Sequence, residues 1–267
     1  MSDDSISKTL TVTLGVCLVC SIFVASAAVG LRDLQEKNKR VDKIKNILQA
    51  GQLYDENRDI FSLYNEKIEP VLIELASGNR IAATQFTQEL NIDAFDIKTI
   101  ADHPSHGEAV VPEIDIARIK HKPKYMVVYL TKKNKLVDKI IFPVYGKGLW
   151  STIYGFIALG SDLSTVQGLT FYEHGETPGL GGLIDNLDWR QSWQGKEAFD
   201  NTGRVAISII KGKVAQDRPQ AIHQIDGLSG ATLTSRGVDQ LIKFWLGKDG
   251  YGPFINNMRL RGDNEKI

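Results

Sequence analysis

Cysteine is almost absent from this chain. Only Cys17 and Cys20 occur in 267 residues, and both lie in the apolar N-terminal run. Everything beyond that run needs no disulfide, and a C-x-x-C pair with no further Cys or His beside it cannot complete a zinc or iron–sulfur site. The two sulfurs read as small packing groups. Net charge is missing as well: 32 basic and 32 acidic side chains cancel. With no basic stripe and no interleaved aromatics, nucleic acid is not an expected partner. The chain has neither the Lys and Gly spacing of a Walker loop nor a Gly-x-Gly-x-x-Gly dinucleotide turn, which argues against nucleotide hydrolysis or dinucleotide binding. Ser229 stands in Leu-Ser-Gly-Ala rather than Gly-x-Ser-x-Gly, without a strand-to-elbow context, so His174, His223 and Asp226 do not make it a hydrolase nucleophile. No solenoid repeat is visible.

What is present begins at the N-terminus. From Thr9 to Leu31, "TLTVTLGVCLVCSIFVASAAVGL" runs for 23 residues without a charge, enough for a helix to cross a hydrocarbon core of about 30 Å. Ala25-Ser26-Ala27 resembles a small-residue cleavage site. The run is nevertheless long for a signal sequence, and Asp3 and Asp4 accompany Lys8 ahead of it, so an uncleaved anchor is expected. Arg32, Lys37, Lys39, Arg40, Lys43 and Lys45 follow the span. Taken alone, that charge count places the following domain in the cytoplasm.

Residues 33 to about 50 carry Val41, Ile44 and Leu48 at helical spacing, and a second helical stretch is expected from about Ile60 to Ala76, with Pro70 as a break or first-turn residue. His103, His106, Asp102 and Glu108 fall in a Pro-bearing loop; metal ligation and plain solvation both account for them. From Lys124 the period changes to that of strands. "KYMVVYLTKKNKLVDKIIFPVYG" reads as two strands around a polar turn at Lys132–Lys135, "STIYGFIALGSDLSTVQGLTFYE" as two more, and "RVAISIIKG" near 204–212 as another. The expected fold class is α+β: one N-terminal transmembrane helix, then a soluble domain with a mostly antiparallel sheet flanked by helices. Its divisions are a tail at 1–8, the membrane helix at 9–31, a helical juxtamembrane and accessory region at 32–123, the α+β domain at 124–250 and a C-terminal tail at 251–267.

Three Gly-bearing loops punctuate that domain: "VYGKGLWSTIYGF" (144–156), "EHGETPGLGG" (173–182) and "DGLSGAT" (226–232). Glycine permits close backbone approach and positive φ, so three such loops suggest a bound planar or phosphorylated group, although turns alone also produce them. The last loop leads into an amphipathic helix with Val238, Leu241, Ile242 and Trp245 on one face and Gly247 as its stop. Its start, among Thr232, Leu233, Thr234 and Ser235, offers Ser and Thr caps, and a helix start attracts anions. A plain cap and a phosphate site both fit.

These motifs together resemble the C subunit of the sodium-translocating NADH:quinone reductase. The resemblance spans nearly the whole chain: the single membrane helix, "NKRVDKIKNILQAGQL", "GKGLWSTIYGF", "YEHGETPGLGG" and "DGLSGATLTSRGV". The last looks like the Asp-x-x-Ser/Thr-Gly-Ala-Thr target of a flavin transferase. The resemblance implies that FMN is held covalently on Thr232 through a phosphoester, with Asp226, Ser229, Gly230 and Ala231 completing the motif and Thr234 outside it. It nominates Glu176, Thr177, Gly179, Leu180 and Gly181 as the wall of an isoalloxazine pocket, with Trp150, Ser151, Thr152 and Tyr154 lining or supporting it. It implies electron transfer within a membrane complex, with the other subunits and a flavin transferase as partners, and no productive binding of NADH or quinone by this chain alone. It also implies a flavin domain on the periplasmic side of the bacterial inner membrane, against the charge count; long domains can translocate regardless of flanking charge. Two other readings stand beside it. One is the FMN-bearing subunit of a ferredoxin:NAD oxidoreductase complex, which the helical region before the flavin domain disfavours. The other is a membrane-anchored interaction module without flavin.

Overall fold

A computed structural model describes residues 5–82, 84, 87, 89–92, 95–133 and 136–261. The chain forms two compact units, Met1–Lys43 and Ile44–Ile267. The first is helical. Helix α1 (Ile6–Gly30) starts where the Ser5 side chain accepts the Lys8 N–H, three residues ahead of the expected boundary. Its 25 residues span roughly 37 Å at 1.5 Å each. None of its side chains is buried, and by length and composition it is a candidate membrane span. Helix α2 (Arg32–Ala50) follows; its last turns, through Ile44, Ile47, Leu48 and Ala50, are buried.

The second unit is built on a five-stranded antiparallel sheet: β1 (Ile68–Glu74), β4 (Tyr125–Lys133), β5 (Leu136–Lys147), β6 (Thr152–Gly160) and β7 (Val166–Glu173), in the order β1-β4-β5-β6-β7. The last four are the strands expected from the apolar, β-branched runs. The outer one is a correction: helix α3 (Ile60–Lys67) stops at Lys67, and Ile68–Glu74 pairs with β4, Val71 opposite Val128. Proline cannot continue a helix, whereas an edge strand tolerates it because one side needs no N–H donor. The sheet thus takes a strand from upstream of residue 124. A short helix α4 (Ile97–Ala101) and the pair β2 (Gly107–Ala109) and β3 (His121–Pro123) fill the connection between β1 and β4. In that connection His103 and His106 stack at 4.8 Å, while His121 pairs with Asp102 at 2.9 Å. Among the described residues no group of three or more His, Cys, Asp or Glu is placed to hold a metal.

After β7 come the short helix α5 (Leu187–Gln191) and a two-stranded parallel pair, β8 (Ser208–Ile209) and β9 (Gln224–Ile225). The strand expected over 204–212 therefore shrinks to two residues. Helix α6 (Thr232–Leu246) packs across β5. Its Val238, Leu241, Ile242 and Trp245 are fully buried, and the Trp245 indole N–H donates to the Tyr145 carbonyl at 2.7 Å. The expected C-terminal tail is another correction. Helix α7 (Gly252–Arg261) follows directly, and Tyr251, Phe254 and Ile255 are core residues; the Tyr251 hydroxyl donates to the Pro143 carbonyl at 2.6 Å. Three buried apolar side chains decide the matter over a short, polar-looking sequence.

Candidate functional site

The three glycine-bearing loops meet at the start of α6, and one carboxylate joins two of them to the helix. Glu176 is only 4% exposed. Its Oε1 accepts the backbone N–H groups of Trp150 at 3.0 Å and Ser151 at 3.3 Å, and its Oε2 accepts the Leu149 N–H at 3.2 Å and the Thr234 hydroxyl at 2.5 Å. Burial alone would push this carboxyl up; the hydroxyl of Thr234 and the amides of Trp150, Ser151 and Leu149 more than offset it and hold it below the usual glutamate value. The expectation that Glu176 forms pocket wall is therefore revised, because both oxygens are consumed beneath the loops. Glycine makes the room: a Cβ on Gly148 would lie 2.5 Å from Glu176 Oε1, and one on Gly181 would lie 2.6 Å from Thr234 Oγ1.

While the backbone of 149–151 is pinned from below, the side chains of Leu149 and Trp150 are exposed. Trp150 is 66% exposed and Leu149 42%. Leu180, at 48%, and Leu233, at 51%, add further apolar surface from the neighbouring loop and from α6. Leu180 leads a turn in which the Thr177 carbonyl accepts the N–H groups of Leu180 and Gly182, with Gly179 at φ 75°. Gly230 is also left-handed, at φ 73°, and its Cα faces Leu180 so closely that an added Cβ would meet Leu180 Cδ2 at 3.2 Å. The 173–182 and 226–232 loops are thus in contact. Ser151 ties its strand to the same loop by accepting the Gly175 N–H at 2.6 Å. Thr152 pairs with Lys147 at the end of β6, half-buried. Tyr154 lies deeper: one face stacks on Tyr145 with centroids 5.5 Å apart, and Lys98 Nζ sits 4.7 Å from its ring. Burial pushes its phenol up to about 12. Tyr154 is half-buried, with its ring engaged by Tyr145 and Lys98.

At the start of α6 no side chain caps the first turn; the cap position is Ala231, itself buried. The expected Ser/Thr cap is absent. Ser235 instead accepts the Leu228 N–H at 3.2 Å, and Thr234, 1% exposed, gives its hydroxyl to Glu176. Thr232 is exposed, and it lines a cavity of 620 Å³ with Ser229, Gly230, Lys211, Lys213 and Arg236. That volume lies within the range of small-molecule sites, about 300–1,000 Å³. Lys211, Lys213 and Arg236 form no ion pair with the described residues, while Asp239 at the far wall is occupied by the Ile209 N–H and Lys243. An uncapped helix start beside three such cations suits an anion.

Asp226 builds this wall without facing the cavity. Its Oδ1 accepts the Val214 N–H at 2.7 Å, its carbonyl accepts the Trp189 indole N–H at 2.8 Å, and the next residue's N–H bonds the Gly212 carbonyl at 2.9 Å. Together these staple the Lys211–Lys213 turn to the motif. Those two lysines were not among the residues expected at the site. The signal for them was the Lys-Gly-Lys run that ends the apolar segment "RVAISIIKGK".

Residues 148–247, which hold the helix, the second and third loops and most of the first, match the model of the FMN-binding domain family. Over 261 residues the chain is 44% identical to the C subunit of the Na(+)-translocating NADH-quinone reductase of Pseudomonas aeruginosa, covering 97% of this chain and 98% of that protein. It is 43% identical over 258 residues to its counterpart in Vibrio alginolyticus, covering 97% of each. Among solved structures, the crystal structure of Shewanella oneidensis NqrC superposes with a TM-score of 0.74 at 33% identity, over 84% of this chain and 99% of that one. The corresponding crystal structure from Parabacteroides distasonis gives 0.63 at 27% identity, over 84% and 96%. With relatives this similar along nearly its whole length, the chain belongs to the NqrC family, the C subunits of Na+-translocating NADH-quinone reductases.

Proposed function

We propose that this chain is the FMN-carrying electron-transfer subunit of a sodium-translocating NADH:quinone reductase, and that FMN is joined to the Thr232 hydroxyl through a phosphoester. The observation that carries the attachment site is the contrast between two hydroxyls on one helical turn. Thr232 opens onto the 620 Å³ cavity, whereas Thr234 is 1% exposed and bonded to Glu176. Only the first can be reached by a flavin transferase.

The residues present fit the group. Lys211, Lys213 and Arg236, with the uncapped first turn of α6, hold the phosphate's negative charge. Gly230 keeps the approach to Thr232 narrow, and the exposed Leu149, Trp150, Leu180 and Leu233 supply apolar surface for the ring. Thr177, Gly179 and Gly181 shape the loop that carries Leu180. When bound, FMN takes up and passes on electrons; the side chains around it set its potential and limit its contact with water. No acid–base residue is needed. A phosphoester keeps the flavin in place through every turnover, which a carrier with a single site requires.

Helix α1 anchors the chain, and the flavin domain works on the periplasmic face of the bacterial inner membrane beside the other subunits of the complex. The test is direct. The full chain is produced with a flavin transferase and FAD, whose pyrophosphate bond breaks as the FMN moiety moves to the threonine and AMP leaves, and its intact mass is read: one FMN, less one water, is gained by the parent and none by Thr232→Ala. A folded parent that gains no FMN would refute the attachment.

A further inference from the structure

We propose that Glu176 is a positioning residue for the flavin, fixing through a single buried carboxylate the placement of the 148–151 segment and of the first turn of α6. The proposal rests on the flavin reading of the preceding subsection and extends it to a residue that touches neither Thr232 nor the open surface. Four donors converge on this carboxylate from two segments far apart in sequence, three backbone amides of Leu149, Trp150 and Ser151 and the hydroxyl of Thr234. Glu176 belongs to a third.

The arrangement costs the fold side chains at two places. Gly148 and Gly181 lie so close that a Cβ on either would fall within 2.5–2.9 Å of a Glu176 carboxylate oxygen. Closer separations than about 3 Å are not tolerated in a packed interior without displacement. Burial of an ionised carboxylate is expensive unless its oxygens are satisfied, and here four donors satisfy them. Two features make the charge useful. Three successive N–H groups on one segment can all be satisfied only by a group that accepts at both oxygens, and this holds the backbone beneath the exposed Leu149 and Trp150 side chains rigid. The same charge reaches α6 through Thr234, two residues from Thr232, so the apolar shelf and the attachment point cannot shift independently. A fixed negative charge under a redox group also disfavours its reduced, more negative form, so the brace acts on the flavin's potential as well as on its orientation.

Three variants of the full chain, each produced with a flavin transferase and FAD as the FMN donor, test this. Glu176→Gln keeps the volume and one accepting oxygen but removes the charge and turns a donor toward the Leu149 N–H. Thr234→Val removes the link to α6 alone, and Thr234→Ser restores it. FMN occupancy comes from intact mass, ring placement from the flavin's visible circular dichroism, and the midpoint potential from spectroelectrochemical titration. The expected result is that Glu176→Gln loads FMN but shifts the oxidised-to-reduced ratio at the parent's midpoint by about tenfold or more, upward by about 30 mV for a two-electron couple. Its dichroic band changes too. Thr234→Val changes the dichroic band and Thr234→Ser recovers the parent's. Loaded variants with the parent's potential and dichroism overturn the proposal. If Glu176→Gln does not fold, Thr234→Val decides alone: the parent's dichroic band in that variant overturns the proposal. A parent without FMN on Thr232 defeats the flavin reading itself, and the proposal with it, so the two failures are told apart by the parent's mass.

Discussion

The Thr234 hydroxyl lies 2.5 Å from Glu176 Oε2, across 58 residues of sequence. This contact binds the first turn of the last long helix to the loop that follows the last strand of the main sheet. It also buries the Thr234 hydroxyl, whereas Thr232, two residues earlier, is exposed and lines the cation-bearing cavity.

Gly148→Ala and Gly181→Ala test how tightly the space around the carboxylate is drawn. The added methyl groups would lie 2.5 Å from Glu176 Oε1 and 2.6 Å from Thr234 Oγ1. Each is expected to destabilise the folded chain by about 1–3 kcal/mol. Because both displace the same carboxylate, the double variant should lose less than the sum. Denaturant unfolding of the four proteins closes that cycle; strict additivity would show that the two glycines do not share a partner.

Acid stability should depend on Glu176. Despite its burial, its hydrogen bonds hold the folded-state pKa below the ordinary value of 4.5. The unfolded chain therefore binds this proton first, and the stabilisation is complete above the unfolded value and is lost as pH falls through the folded one. Unfolding free energy measured between about pH 6 and pH 3 should fall for the parent more steeply than for Glu176→Gln. Parallel curves would mean that this carboxylate contributes nothing to acid sensitivity.

Lys211 and Lys213 should matter through charge. Both are exposed, so each is worth no more than about 0.5–1 kcal/mol toward a phosphate. Lys211→Gln with Lys213→Gln is expected to slow flavin loading by roughly fivefold at low salt, and the deficit should shrink as ionic strength rises. Loading is followed by flavin fluorescence on denaturing gels. A deficit that ignores salt would point to packing in place of charge.

Much of the fold was legible because its signals are local. The α6 face repeats at helical spacing, and β4 to β7 are long β-branched and aromatic runs. Edge strand β1 was hidden because Ile68, Val71 and Leu72 also sit at helical spacing after a true helix, and only pairing with β4 selects the strand. Residues 251–261 looked like a tail because their burial depends on Pro143 and Phe142, more than a hundred residues earlier. At the site, the loops and Thr232 could be singled out by motif. The job of Glu176 could not, since its donors come from residues 149–151 and 234 and no spacing along the chain connects them.

The central claim is that Thr232 carries the flavin, and the most direct measurement is peptide mapping by mass spectrometry of the full chain after production with a flavin transferase and FAD as the FMN donor. The account predicts a peptide containing residues 226–236 heavier by one FMN less one water, with fragment ions placing the added mass on Thr232 and leaving Thr234 and Ser235 unmodified. An unmodified peptide from folded protein, or the added mass on Thr234, would contradict it.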